Sequence, residues 1–120
     1  MSVTPALAGL LLMAACSTPT APEWPAGAIP FDPPPAYAQW WKAVEGCSGR
    51  AGGFERVQWY VVEGSSFNGN QVGLWMRDGH RIALASWHVK TQRVVQHEML
   101  HDLIGAPGHG PTFGECDVNL

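Results

Sequence analysis

Apolar residues recur at helical spacing in two stretches of the chain. The first occupies residues 37–44, follows the helix-initiating run Pro33–Pro35 and stops at Gly46. The second begins at Thr91 and stops at Gly105, a residue type that commonly ends helices. The pattern therefore predicts one helix near the start of a folded region and another near its end.

Between these helices the apolar residues alternate, as is typical of strands. Phe54 to Val62 is rich in β-branched and aromatic residues, and shorter stretches follow near Gln71–Met76 and Arg81–Ser86. Asp78-Gly79 between the last two predicts a hairpin, because this dipeptide tolerates positive φ in a two-residue turn. We therefore expect an α+β domain with an N-terminal helix, a short antiparallel sheet of about three strands and a C-terminal helix.

The first 35 residues have a different pattern. Residues 1–15 contain an apolar run of signal-peptide length, too short to span a bilayer. It ends in Leu12-Met13-Ala14-Ala15-Cys16, which resembles the lipobox of bacterial lipoproteins, whose Cys is acylated. Residues 16–35 carry seven of the ten prolines, which favours an extended tether. The expected parts are a signal peptide (1–15), a tether (16–35) and a metal-binding domain (36–120). The alternative is an ordinary apolar helix with an incidental Cys.

Composition and cysteine count indicate which partners and which cellular compartment are expected. With 46% hydrophobic and 14% charged residues the chain is globular in composition, and its net charge of -3 disfavours nucleic acid as a partner. If Cys16 is lipidated, Cys47 and Cys116 remain as an even pair in an oxidising compartment, which predicts one disulfide. We expect a protein exported to the bacterial cell envelope and held on a membrane by its N-terminal lipid.

The second predicted helix carries His97-Glu98-Met99-Leu100-His101, an HExxH pattern. Positions i and i+4 lie on one helix face, so His97 and His101 can converge on one Zn²⁺ ion. Glu98 can then take a proton from a zinc-bound water that attacks an amide. Chance placement predicts only about 0.01 such patterns in a chain of this composition. The alternative is a surface helix whose two His are solvated or merely packed.

A catalytic zinc needs a third protein ligand. After Gly105 the chain enters a Gly- and Pro-rich turn that can bring His109 back over the end of the helix. Glu115 or Asp117 could replace it. The order of residues resembles the metzincin pattern HExxHxxGxxH, with its Gly one residue later and His109 two residues later.

Other residues could take part in the site. Asp102 could support an imidazole by a hydrogen bond, although a carboxylate on the helix surface is the commoner case. Tyr60 could donate to an oxyanion, although an aromatic residue in a strand is more often packed. His80 and His88 are expected to be solvated.

From about Ala36 to its end the chain resembles small bacterial lipoproteins of unassigned function that carry a C-terminal HEMLH zinc motif. The shared features are Trp40-Trp41, Cys47-Ser48-Gly49, Val57-Gln58-Trp59-Tyr60-Val61-Val62, the stretch HEMLHDLIG, Gly108-His109 and Phe113-Gly114-Glu115-Cys116. The resemblance implies a zincin-like fold in which His97, His101 and His109 bind Zn²⁺ and Glu98 is the base.

The leading hypothesis is therefore a lipid-anchored zinc metallopeptidase acting on an unidentified peptide or protein. One alternative is a non-catalytic zinc-binding or peptide-binding lipoprotein. The other is a DNA-associated zinc protein of the SprT type, which the acidic composition disfavours.

Overall fold

The computed structural model describes residues 22–120, which form an α+β fold. Its helices are α1 (Ala36–Ser48), α2 (Gln92–Ile104) and α3 (Thr112–Glu115), and its strands are β1 (Ile29–Pro30), β2 (Gln58–Val62), β3 (Gly73–Met76) and β4 (Arg81–Ala85). The predicted signal peptide (1–15) and the lipobox with Cys16 lie outside the described residues. Within residues 22–120, no helix has the length and apolar character needed to cross a membrane.

The four strands form one mixed sheet in the order β1-β2-β4-β3. β2 pairs with β4 in parallel, whereas β1 with β2 and β3 with β4 pair antiparallel. The expectation of an antiparallel sheet of about three strands was wrong in this respect. The connection 63–72 carries the chain past the position of β4, and the β3–β4 hairpin then places β4 beside β2. Alternation within a strand carries no information about which strand lies next to it.

The extra strand β1 lies in the segment 16–35, for which the sequence predicted no secondary structure. Ile29 and Pro30 pair with Val61 and Tyr60, and the Phe31 amide donates to the Trp59 carbonyl. β1 stands at the end of the sheet order, a position where strands tolerate proline. Folded structure therefore begins before the predicted domain boundary at Ala36.

Both faces of the sheet are covered by apolar side chains. On one face, α1 and α2 pack against alternate strand residues such as Trp59, Trp75 and Ile82. On the other, Ala83 and Ala85 of β4 contact a smaller cluster that includes Trp24 from the N-terminal segment. This second layer explains why β4 is apolar at almost every position instead of alternating.

Three local predictions need adjustment. Phe54–Arg56 forms a 3₁₀ turn, so the predicted first strand is shorter and begins at Gln58. Asp78–His80 also forms a 3₁₀ turn between β3 and β4, with positive φ at both Gly79 and His80. The hairpin is therefore present, but its connection is longer than the predicted two-residue turn. α1 continues past Gly46 and ends at Gly49, whose φ is 71°.

The predicted disulfide is confirmed. Cys47 at the end of α1 is bonded to Cys116, directly after α3, with a Cα–Cα distance of 5.4 Å. The bond joins positions 69 residues apart. It fastens the C-terminal segment to the first helix of the domain.

Candidate metal centre

The HExxH motif lies on α2, which is the most deeply buried helix among residues 22–120. Every residue of α2 from Val94 to Leu103 is buried, because the sheet, α1 and the C-terminal segment surround it. The alternative of a surface helix with solvated His is therefore contradicted. The polar side chains of this helix point into the protein, where each requires a partner.

His97 and His101 have such partners on one side of each ring. His97 Nδ1 lies 2.7 Å from the Val118 carbonyl oxygen, and His101 Nδ1 lies 2.9 Å from the Ala106 carbonyl oxygen. A carbonyl oxygen accepts only from a protonated nitrogen, so in each ring Nδ1 donates and the neutral ring keeps a lone pair on Nε2. This tautomer is the one that binds a metal through Nε2.

His109 reaches the same point from the C-terminal segment. Gly105 ends α2 in the left-handed conformation, with φ 77°, and the turn after it reverses the chain. His109 Nε2 then lies 3.1 Å from His97 Nε2 and 3.2 Å from His101 Nε2. Phe113 underlies the group, with ring centroids 4.8, 4.8 and 5.1 Å from those of His97, His101 and His109.

These three nitrogens fit a metal ion. A zinc ion with Zn–N bonds of about 2.0–2.1 Å and tetrahedral angles separates its nitrogen ligands by roughly 3.3 Å. The Nε2 distances from His109 are close to that value, and the potential ligand atoms of all three His lie within 4.8 Å of one another. The side chains of His97, His101 and His109 can therefore hold a metal ion, as the sequence predicted.

The surroundings keep the two helical ligands neutral. Burial lowers the pKa of His97, opposed by the hydrogen bond to Val118. Burial also lowers the pKa of His101, to about 4, again opposed by a backbone hydrogen bond. Both rings therefore hold a free lone pair at neutral pH, and only His109 of the three is exposed.

Glu98 lies beside the three His, against Gly73 of β3, which has no side chain to occupy the same space. A Cβ atom at Gly73 in β3 would come within 2.8 Å of Glu98 Oε2 and 2.9 Å of its Cγ. Burial raises the pKa of Glu98 to about 8. A bound cation would lower this pKa again, because an adjacent positive charge favours the carboxylate.

A cavity of about 590 Å³ opens over the three His and Glu98. Its other walls come from β3 and the residues before it, the turn after α2, the C-terminus and the start of the described chain. These are Pro22, Asn70, Gln71, Val72, Gly73, Leu74, Trp75, Pro107, Asn119 and Leu120. The size suits several residues of a peptide or another small ligand.

Two alternative ligands lie elsewhere. Glu115 and Asp117 line a separate cavity beside the disulfide, and the Asp117 carboxylate is 3.8 Å from Arg93. Neither belongs to the His group.

The remaining candidates have other contacts. Asp102 is fully buried and binds Arg56, Trp75 and His80 instead of lying on the helix surface. His88 contacts Thr91, and Tyr60 packs on Trp24 in the second core layer, outside the residues that line the cavity.

Sequence reasoning missed four supporting features: the two carbonyl partners, the Phe113 floor, the Gly73 gap and the Asp102 contacts. Most of them depend on contacts between parts of the chain that are far apart in sequence, and the His101–Ala106 contact depends on the path of the turn after α2. Comparison of the chain with protein-family models, curated proteins and solved structures finds no match.

Proposed function

We propose that His97, His101 and His109 bind Zn²⁺ and that the protein hydrolyses peptide bonds with Glu98 as general base. The observation that carries this proposal is the convergence of three imidazoles on one point beside a buried carboxyl group. Zn²⁺ bound by these residues would lower the pKa of a water molecule towards neutrality and polarise a carbonyl group.

In this proposal the side chains have separate roles. The carbonyl groups of Val118 and Ala106 hold His97 and His101 in the ligand tautomer. Glu98 accepts a proton from water and returns it to the leaving amine nitrogen. The zincin-like character of the fold is part of the same proposal, since it rests on the HExxH helix packed beside strand β3.

The cavity supports a peptide as the substrate class. Gly73, Leu74 and Trp75 of β3 form one wall, and β3 stands at the end of the sheet order. An extended chain placed along such a strand can pair with its backbone while its side chains enter the cavity.

Substitution of Glu98 tests the proposal. The wild-type protein should take up one Zn²⁺ per chain and cleave members of a peptide library, measured by metal analysis and mass spectrometry. Glu98→Gln should keep the metal but lose at least about 100-fold in rate, because it removes the base. Glu115→Gln, an exposed carboxylate near the disulfide, is the matched control and should cleave normally. Equal cleavage by Glu98→Gln and wild type would refute the catalytic role.

A non-catalytic zinc-binding or peptide-binding protein is the second candidate. The depth of Glu98 favours it, because a side chain that is only 4% exposed has little access to the water molecule and the substrate that a general base must reach. The fourth zinc position separates the two functions. An exchangeable water there supports hydrolysis, whereas a fourth protein ligand supports a binding role.

We also propose that the protein is exported and anchored to a bacterial membrane through acylated Cys16. The Cys47–Cys116 disulfide supports export, because such bonds persist in oxidising compartments. Cys16→Ser should move the protein from the membrane fraction to the soluble fraction, and the control Ser17→Ala should not. Wild-type protein in the soluble fraction would contradict the anchor.

A further inference from the structure

A buried carboxylate follows the second metal ligand on α2. Asp102 is 2% exposed and accepts three hydrogen bonds through its side chain. The donors are Arg56 Nε at 2.9 Å, the Trp75 indole Nε1 at 2.8 Å and His80 Nδ1 at 2.9 Å. They come from the 3₁₀ turn before β2, from β3 and from the β3–β4 turn. Asp102 therefore ties the sheet to the helix that carries the ligands.

One of these donors also touches the metal centre. The indole of Trp75 stacks on the imidazole of His101, with centroids 6.0 Å apart and planes inclined by 14°. The His101 Nδ1 bond to the Ala106 carbonyl constrains the ring within its own plane. The parallel indole constrains the ring's tilt, which a single hydrogen bond leaves free.

The orientation of Trp75 depends in turn on Asp102. An indole has one polar atom, so the bond from Nε1 to a fully buried carboxylate selects one rotation of the ring. Arg56 donates to both the side chain and the main-chain carbonyl of Asp102, which fixes the carboxylate itself. The contacts form a continuous path from Arg56 through Asp102 and Trp75 to His101.

We propose that Trp75, held by Asp102, is a positioning residue that sets the orientation of the metal ligand His101. This inference rests on the proposed metal centre and concerns how its affinity is set. Trp75 also forms part of the wall of the cavity over the three His.

Trp75→Phe tests the proposal, because it keeps an aromatic ring but removes the donor to Asp102. The matched control is Trp59→Phe. Trp59 is also buried in the core beneath the helices, at 5% exposure against 7% for Trp75, and its indole N–H has no hydrogen-bond partner within residues 22–120. The two substitutions remove the same atoms from the same core, but only Trp75 lies against the ligand His101.

The measurements are the Zn²⁺ dissociation constant, from competition with a chelator, and the visible absorption spectrum of the Co²⁺-loaded protein, which reports ligand geometry. Trp75→Phe should raise the dissociation constant by about 10-fold and shift the Co²⁺ bands. Trp59→Phe should leave both unchanged even if it lowers the melting temperature equally. Asp102→Ala should reproduce the Trp75→Phe spectrum, and circular dichroism checks that each variant folds.

Equal effects of Trp75→Phe and Trp59→Phe on affinity and spectrum would overturn the positioning role while leaving the metal centre and its hydrolysis intact. Neither readout uses hydrolysis, so an inactive but metal-binding wild type would refute the proposed catalysis without touching this inference. A wild type that binds neither metal would refute both.

Discussion

Helix α2 and the C-terminal segment 105–120 both contribute to the candidate metal centre, but they are stabilised in different ways. α2 supplies His97 and His101 from a helix surrounded by core. The C-terminal segment contains only the four-residue helix α3 and is held by Phe113, Val118 and the disulfide at Cys116. Core packing thus fixes the positions of His97 and His101, whereas the position of His109 is fixed by a few contacts between distant parts of the chain.

The ligands on α2 also depend on the C-terminal segment for their orientation. The carbonyl groups that fix the tautomers of His97 and His101 belong to Val118 and Ala106 of the C-terminal segment. Phe113 of the same segment contacts all three imidazoles. We therefore expect the C-terminal segment to control metal affinity even though two of the ligands lie outside it.

Among the changes considered for these two regions, removal of the disulfide should have the largest effect on stability, because it releases the C-terminal segment from α1. The loop closed by Cys47 and Cys116 corresponds to about 4 kcal/mol in the chain-entropy model. The double variant Cys47→Ser/Cys116→Ser should lose free energy of unfolding of that order, measured by urea denaturation of the metal-free protein. Added Zn²⁺ should restore part of it, because binding to the folded state stabilises that state. Identical urea midpoints for both proteins would show that other contacts hold the segment.

Removing one ligand from each region should separate their structural roles. His101→Ala and His109→Ala should each weaken Zn²⁺ binding about 100-fold, measured by chelator competition. Only His101→Ala should also destabilise the metal-free protein, by roughly 1–3 kcal/mol, since it leaves the Ala106 carbonyl and a core position unfilled. His109 is exposed, so its removal should cost little stability. His88→Ala is the control, and comparable loss of affinity there would argue against a specific site.

A methyl group placed against α2 and another added within the C-terminal segment should show how differently the two regions tolerate extra volume. Gly73→Ala places a Cβ against Glu98 and should cost about 2 kcal/mol of stability and displace the carboxyl group, which lowers kcat about 10-fold. At Gly108, a Cβ meets no atom of residues 22–120 within 4 Å, so Gly108→Ala should be nearly neutral. Equal rates for the two variants would contradict the placement of Glu98.

The smallest effect concerns pH and the metal-free protein. The pKa of Glu98 is raised from 4.5 to about 8, so its contribution to stability is complete below pH 4.5 and is lost as pH rises to about 8. His97 and His101, with lowered pKa values, lose their contribution only as pH falls below 6.5. From pH 7 to 8 the wild type should therefore lose about 1 kcal/mol relative to Glu98→Gln in urea denaturation. Parallel pH curves would show that Glu98 is not buried as an acid.

The sequence predicted those parts of the site that follow from local geometry. The i, i+4 spacing placed His97 and His101 together, the Gly- and Pro-rich turn brought back His109, and the cysteine count predicted the disulfide. Each prediction needs only helix periodicity, turn chemistry or an even number of thiols. The two helices and the alternating strands follow from the same rules.

The remaining features depend on contacts between distant residues. The parallel pairing of β2 with β4 follows from the path of the connection 63–72, which the residues of neither strand reveal. Aspartate is usually found on protein surfaces. Asp102 is nevertheless buried, because three side chains from other elements donate hydrogen bonds to its carboxylate. The sequence held one indication of the role of Gly73. It is a glycine at the start of a predicted strand, a position where another group often approaches the backbone closely.

X-ray absorption spectroscopy of the Zn²⁺-loaded protein tests the central claim most directly. We predict three imidazole nitrogens and one oxygen at about 2.0–2.1 Å, with loss of one imidazole in His109→Ala. The oxygen should exchange with labelled solvent water. A first shell that keeps three imidazoles in His109→Ala, or that contains sulfur, would contradict a centre built from His97, His101 and His109.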